Sequence, residues 1–296
     1  MSARQQLKAI VPTTLWTSLR RGVTYARRIR IWRAVNRQIT GVSQIDKKNL
    51  RDASRSGWLS ALHALDEWQD PVLLNDARVR VHSVGEFALR AHSDDLYHVL
   101  PSREKAVLAA IRNGLKPGDT FVDAGANIGF YTVVAAKLVG PAGKVVAIEM
   151  MPDTAARLRE HVRLNDLTNV EVIEFALSDR SGETITATVP DGKYGQASIA
   201  ASSDTERMRR VDVQTHTLDE ILACIPGHVA LMKMDLEGAE GLALKGAQQI
   251  LPRIDALIFE LLGTATNVTQ FLEQFGFRIS KLDGNNMLAE NCARNA

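Results

Sequence analysis

From residue 119 onward, short apolar runs alternate with amphipathic stretches. The apolar runs Thr120 to Ala124, Lys144 to Glu149, Val170 to Phe175, Val229 to Met234 and Ile254 to Leu261 predict strands. Between them, helical spacing covers about Ile128 to Leu138, Pro152 to Leu164, Leu218 to Cys224, Ala239 to Leu251 and Val268 to Phe275. Phe277 to Leu282 and Asn286 to Ala289 form a closing strand pair. Strands alternating with helices predict a mostly parallel sheet covered on both faces. Upstream, Val79 and Val81, then Phe87 and Leu89, alternate about Val84-Gly85 as a hairpin does. Pro101 to Leu115 reads as a helix stopped by Gly114 and Lys116-Pro117-Gly118. Before these, Tyr25, Ile29, Trp32 and Val35 recur at helical spacing. The pattern divides the chain into a helical extension, 1–76, and an α/β domain, 77–296.

Charge changes the reading of the extension. Residues 1–40 hold nine Arg or Lys and no acid, although the whole chain carries only +2. The body is therefore net acidic and the arm strongly basic. Two uses fit such an arm: peripheral contact with an anionic membrane through residues 1–40, or packing of its apolar stripe on the protein. An Arg-rich, acid-free start also fits a transit peptide. No apolar run approaches the ~18 residues needed to span a bilayer, and no secretory signal pattern is evident. Cys224 and Cys292 lack neighbouring ligands at metal spacing, as expected of free thiols in a reducing cytoplasm. With aromatics at 5%, a base-stacking surface is not expected, and no nucleic-acid partner is assigned.

The chemistry concentrates at the turn after the strand from Thr120. In Asp123-Ala124-Gly125-Ala126-Asn127-Ile128-Gly129, the glycines admit close backbone approach, and the following helix presents its positive end. Such turns lie at the carboxyl edge of the sheet, where open α/β folds bind ligands. The spacing Gly-x-x-x-Gly differs from the Gly-x-Gly-x-x-Gly dinucleotide fingerprint. A carboxylate at Asp123, at the mouth of the turn, would repel a pyrophosphate and favour a cationic ligand. S-adenosyl-L-methionine carries an ammonium and a sulfonium. Glu149, ending the next strand, is placed to accept ribose hydroxyls, as in many adenosine sites.

These residues resemble a known family. Phe121 to Thr132 resembles the first motif of the FkbM-type methyltransferases, as does Lys233-Met234-Asp235-Leu236-Glu237-Gly238-Ala239-Glu240 with Leu244-Lys245-Gly246-Ala247. Ala176-Leu177-Ser178-Asp179, Thr217-Leu218-Asp219 and Phe259-Glu260-Leu261 also match. The resemblance covers about residues 77–290 and leaves 1–70 outside. It implies a class I methyltransferase fold, a seven-stranded sheet, mostly parallel with an antiparallel last strand and helices on both faces. It implies S-adenosyl-L-methionine as cofactor and O-methylation of a sugar, glycan or natural-product hydroxyl. Asp123, Gly125, Ala126, Asn127, Gly129 and Glu149 would line the cofactor. Ser178 and Asp179 would lie near the adenine, and Glu104 would be an acid close to the cofactor. Arg103 stands where the family usually has an aromatic residue.

Transfer to oxygen uses a general base, because the acceptor hydroxyl loses its proton. Asp235 and Glu237 are the catalytic candidates, and Glu240 fits dipole compensation. Helix capping is the competing role for Asp235. Asp235 and Glu260 could also hold a divalent cation, since hard cations take oxygen ligands, but no metal is assigned. His98, His216 and Tyr97 are subsidiary acid–base groups. Lys193 to Ser198 lies in a long connection of the kind that closes over substrate. The acceptor is a small molecule or a glycan; the arm raises the glycolipid version. A natural product, a protein side chain, and an NAD-dependent oxidoreductase remain the alternatives.

Overall fold

A computed structural model describes residues 13–60, 69–199, 208–261 and 266–293. The first twelve residues of the basic arm therefore lie outside the described residues. The chain divides into two compact units, residues 1–83 with 89–102, and residues 84–88 with 103–296.

The first unit contains α1 (Thr13–Gln38), β1 (Ile39–Gly41), α2 (Gln44–Ser60) and β2 (Ala77–Val81). The short β3 (Gly85–Leu89) leads to α3 (Asp95–His98). β1 and β2 run antiparallel, with Ile39 opposite Val81. Ile29, Trp32 and Val35 of α1 are buried, while Tyr25 is exposed. A Cβ on Gly57 of α2 would stand 2.0 Å from the Trp32 ring, so the missing side chain is what lets the indole seat there. Most of the arm's apolar stripe is thus used in packing. Leu19 and Val23 remain exposed on the same helix.

The second unit is built on seven strands. These are β4 (Thr120–Ala124), β5 (Lys144–Ile148), β6 (Val170–Ile173), β10 (Leu231–Met234), β11 (Ala256–Glu260), β12 (Phe277–Asp283) and β13 (Asn286–Asn291). Their order is β12-β13-β11-β10-β4-β5-β6. β11, β10, β4, β5 and β6 are parallel neighbours, and β13 runs antiparallel to both β11 and β12. This is the class I methyltransferase sheet, with its antiparallel last strand inserted beside β11. The order reverses between β4 and β10, and such a reversal opens a crevice at the carboxyl ends of the strands. α4 (Lys105–Gly114), α5 (Phe130–Val139), α6 (Pro152–Leu164), α7 (Leu218–Ile221), α8 (Glu240–Lys245) and α9 (Thr266–Gln274) accompany the sheet. The central strands read as continuous apolar runs because both faces are covered: Phe121, Val122, Met232, Leu257 and Phe259 are all fully buried.

Two expectations change. The connection after β6 is not an open loop: β7 (Ala176–Leu177), β8 (Thr184–Pro190) and β9 (Met208–His216) form a small separate sheet, ordered β7-β9-β8. The helix expected over Ala239 to Leu251 stops at Lys245. Asp219 accepts from the N–H groups of Gln249 and Ile250, which turns the chain there. Gly246 lies against the Ser178 carbonyl, 2.3 Å from where a Cβ would sit.

His161 on α6 is fully buried and ties three segments of the second unit together. Its Nδ1 lies 2.6 Å from the Ile128 carbonyl, and its Nε2 lies 3.0 Å from both the N and the O of Ala88. Its ring meets Phe87 edge-on at 5.0 Å. Removing the imidazole leaves buried backbone groups unsatisfied, each costing about 1–3 kcal/mol. We expect His161→Ala to lower the urea midpoint accordingly; an unchanged midpoint would show that water replaces the ring at no cost.

Candidate active site

The crevice between β4 and β10 gathers most of the sequence-derived candidates. Asp123 is not at the mouth of the turn but inside the end of β4, 1% exposed. Its Oδ2 accepts a 2.7 Å hydrogen bond from Thr132 Oγ1. Beyond it, the N–H groups of Gly125 and Ala126 both donate to the Ile148 carbonyl, and Gly129 N–H donates to the Ala126 carbonyl. The turn's donors therefore largely hold its own shape rather than face outward as an anion cradle. Gly125 and Gly129 both have positive φ, 79° and 86°. A Cβ on Gly125 would stand 1.9 Å from the Asp235 carbonyl oxygen, and one on Gly129 would stand 2.2 Å from Leu158. The glycines serve close approach, as their spacing predicted, but the approaching groups are the protein's own.

Asn127 takes the left-handed conformation that Asn tolerates, φ 49°. Its N–H donates to Glu149 Oε2 at 2.8 Å, and Met151 N–H donates to Oε1 at 2.9 Å. Glu149 is thus pinned at the end of β5. Two buried oxygens, Asp123 Oδ1 and Asn127 Oδ1, make no hydrogen bond with the chain. Buried acceptors of this kind call for donors. An adenosyl amino acid with an ammonium and ribose hydroxyls supplies such donors, so the residues fit S-adenosyl-L-methionine.

A buried cation, passed over in the sequence, connects this turn to the acids across the crevice. Lys233, 4% exposed in β10, stands opposite Asp123 in the strand register. Its Nζ donates to Asp235 Oδ2 at 3.0 Å and lies 5.1 Å from the centroid of the Tyr131 ring. Tyr131 hydroxyl donates to Glu104 Oε2 at 2.7 Å, and Arg103 pairs with the same oxygen at 2.6 Å. Glu104 is therefore joined to the first turn of α5, and Arg103 joins the site where the family pattern has an aromatic. The signal for Lys233 was a single charged residue within the apolar run Leu231-Met232-Lys233-Met234.

The acid turn after β10 is locally strained. Glu237 has φ 50° and Gly238 φ 100°. Glu240, almost fully buried, accepts from the N–H groups of Leu236 and Gly238, so it holds the turn. Ser198 Oγ donates to the Glu237 carbonyl at 2.9 Å and ties the segment after β8 to it. Asp235 is engaged by the Lys233 ammonium, and the N-cap of α8 is Ala239. Glu237 differs: burial, then the carboxylates of Asp235, Glu260 and Glu240, push its carboxyl up to about 7. Glu260, at the end of β11, is also raised, by burial and by Asp235.

Ser178 and Asp179 bond to each other, Oγ to Oδ1 at 3.2 Å. No hydrogen bond among the described residues joins them to the Asp123 turn. His216 stacks on Phe175 at 4.0 Å and lies 3.2 Å from Glu220, a packing role. His98 lies 3.2 Å from Asp94 in the first unit. Thr217 caps α7 by accepting from Glu220 N–H.

A family model described as the methyltransferase FkbM domain matches residues 123–279, from the buried aspartate into β12. The chain belongs to this family. The matched region is a methyltransferase domain of the kind that uses S-adenosyl-L-methionine. Among curated proteins, an arsenite methyltransferase of Halobacterium salinarum is 42% identical over 57 residues, 19% of this chain and 15% of that protein. A protein-L-isoaspartate O-methyltransferase of Archaeoglobus fulgidus is 39% identical over 59 residues, 20% of this chain and 27% of its own. These matches span less than a third of either relative. The solved structure of an FkbM methyltransferase from Methylobacillus flagellatus aligns at 18% identity and a TM-score of 0.40, covering 67% of this chain and 54% of that one. A SAM-dependent methyltransferase from Aquifex aeolicus aligns at 20% identity and 0.38, covering 63% and 87%.

The clearance at Gly125 sets a direct test of the turn. Gly125→Ala places a methyl group against the Asp235 carbonyl and demands a disfavoured φ. We expect calorimetric titration to show at least a tenfold loss of S-adenosylhomocysteine affinity, about 1.4 kcal/mol or more. Retained affinity would show that the two strand ends can separate without harm to the cofactor site.

Proposed function

We propose that this enzyme is an O-methyltransferase acting on a hydroxyl of a sugar, glycan or glycolipid, with Glu237 as general base. The observation that carries the reading is the Glu237 carboxyl, raised to about 7 on a strained turn facing the cofactor strand end. A base poised near neutrality balances being deprotonated against proton affinity. Asp235, ion-paired to Lys233, is better suited to orienting the acceptor hydroxyl, since a cation beside a carboxylate lowers its affinity for a proton.

The donor, when bound, supplies an electrophilic methyl group on a sulfonium. Asp123, Asn127 and Glu149 would hold it, Ser178 and Asp179 would stand by the adenine, and Glu104 would complete the wall beside Tyr131. Glu237 takes the acceptor's hydroxyl proton as attack proceeds. Positioning provides much of the remaining acceleration. Asp235, Glu237 and Glu260 offer acceptor oxygens, and the nearby cations Lys233 and Arg103 are already paired with Asp235 and Glu104. A neutral polyol, which brings several O–H donors, suits such a mouth better than a phosphate or carboxylate.

A methyl-release assay across sugars, glycolipids and phenols tests the acceptor class: turnover on sugar hydroxyls is expected, and turnover on carboxyl or amine acceptors alone would refute it. Because the base works deprotonated, kcat should rise with pH through about 7 and level off above. Glu237→Gln should cut kcat by about 100-fold or more and abolish that limb, with S-adenosylhomocysteine affinity unchanged. If Asp235→Asn rather than Glu237→Gln removes the limb, the base is Asp235.

The glycolipid version draws support from α1. Leu19 and Val23 are exposed one turn apart, beside Arg20, Arg21 and Arg27, on a helix with no acid in its first turn. Apolar side chains amid arginines suit an anionic bilayer surface. No helix among the described residues is long and apolar enough to cross a membrane. Leu19→Ser with Val23→Ser should reduce sedimentation with phosphatidylglycerol vesicles several-fold while leaving the Trp32 packing intact. Equal partitioning would remove the membrane role.

A further inference from the structure

Lys233 sits at a place where a strand of this sheet otherwise buries only apolar side chains. It is 4% exposed, opposite Asp123 across the parallel β10–β4 pair. A buried ammonium costs several kcal/mol unless charges compensate it, so its presence requires explanation. Among the described partners, Asp235 takes one of its hydrogen bonds, and the face of Tyr131 lies under it at 5.1 Å. The other group that needs it is Asp123. That carboxylate is 1% exposed, has one hydrogen bond from Thr132, and has a second oxygen with none. Its remaining register neighbour, Ala147 of β5, brings no charge.

We propose that Lys233 is a positioning residue for cofactor binding: its buried ammonium keeps Asp123 a carboxylate, and so maintains the negative charge that receives the cofactor's cationic end. The inference rests on the cofactor site described above, which wild-type affinity for S-adenosylhomocysteine tests separately. Left alone, a carboxyl buried to this degree takes up a proton, because burial penalises the charged form. Burial is the largest influence on Asp123 and, with Asp235, leaves its carboxyl raised above the ordinary value; the Lys233 charge is the largest influence in the other direction, ahead of the Thr132 hydroxyl, and limits that rise. Lys233 stays protonated in turn. Burial pulls it down, but Asp235, Asp123 and Glu104 together outweigh that pull and raise it. The charged groups facing the pair are thus Asp235 beyond the end of β10 and Glu104 before α4, with Tyr131 on α5 between them. One cation thus acts on both strand ends, and without it hydrogen bonding from Thr132 would be left to oppose proton uptake by Asp123.

Calorimetric titration of S-adenosylhomocysteine at pH 6.0, 7.0 and 8.5 reads this without any acceptor. Wild type should bind with nearly constant affinity across that range. Lys233→Met and Lys233→Gln should bind at least tenfold more weakly at pH 6.0 and recover as pH rises, by up to about tenfold per pH unit. Lys233→Arg, which keeps the charge, should return a flat profile. A loss of equal size at every pH would mean that the lysine serves packing only and would overturn the proposal, as would unchanged binding by Lys233→Met. Should the neutral variants fail to fold, carboxyl carbon NMR of wild type decides: Asp123 ionised from pH 6 upward supports the proposal, and a titration midpoint above 7 overturns it. Absence of wild-type binding at all pH values would instead refute the cofactor site.

Discussion

The site depends on how closely two strand ends approach one another. Asp235 N–H donates to the Ala124 carbonyl at 3.0 Å, extending the β4–β10 pairing one residue past the strands. At that point the Asp235 carbonyl occupies the space that any side chain on residue 125 would fill. Gly125 is therefore required by the neighbouring strand. The contact brings the cofactor turn and the acid turn side by side at the topological switch, and every distance between donor site and acceptor site inherits from it. Without it, Lys233 could not face Asp123 and Asp235 together.

Charge then governs what this geometry can do. Asp123, Asp235, Glu104, Glu237, Glu240 and Glu260 converge with Lys233 and Arg103 on one end of the sheet. Buried acids without cations would neutralise themselves by binding protons. The chain meets this in two ways. At the cofactor end a buried ammonium opposes that proton uptake. At the acceptor end the excess is left standing, and Glu237 carries it as raised basicity. The difference between these two ends arises from one lysine in an apolar strand and from its reach.

Much of this was legible in the sequence. Thr120–Ala124 and Pro152–Leu164 appear with the bounds their patterns predict, because Pro at a first helical position and fully apolar central strands are strong local signals. The order of the sheet followed from the family resemblance rather than from periodicity. β8 and β9 were missed although Ile185, Ala187 and Val189 alternate with threonines as in a strand, because their pairing joins segments up to thirty residues apart, Thr184 with Gln214. Within the site, residue types were readable but depth was not. Asp123 looked like a surface charge at a turn, whereas the strand carries it inside. Lys233 looked like an interruption, since a lone cation in an apolar strand acquires meaning only from the neighbouring strand. Asp235 was the first candidate for the base and Glu237 the second; the Lys233 ion pair of Asp235 and the raised carboxyl of Glu237 are features that spacing did not show.

The pinned carboxylate of Glu149 has a consequence for how the nucleoside end is held. With both oxygens fixed by the N–H groups of Asn127 and Met151, the side chain has one orientation before any ligand arrives. A glutamate free in solvent would lose rotamer entropy on binding, on the order of 1–2 kcal/mol. Here that loss occurs during folding, when the turn after β4 and the end of β5 close on each other. A ribose received by Glu149 would therefore meet a preorganised carboxylate, and its tightness of binding would be tied to the stability of the sheet that builds the site.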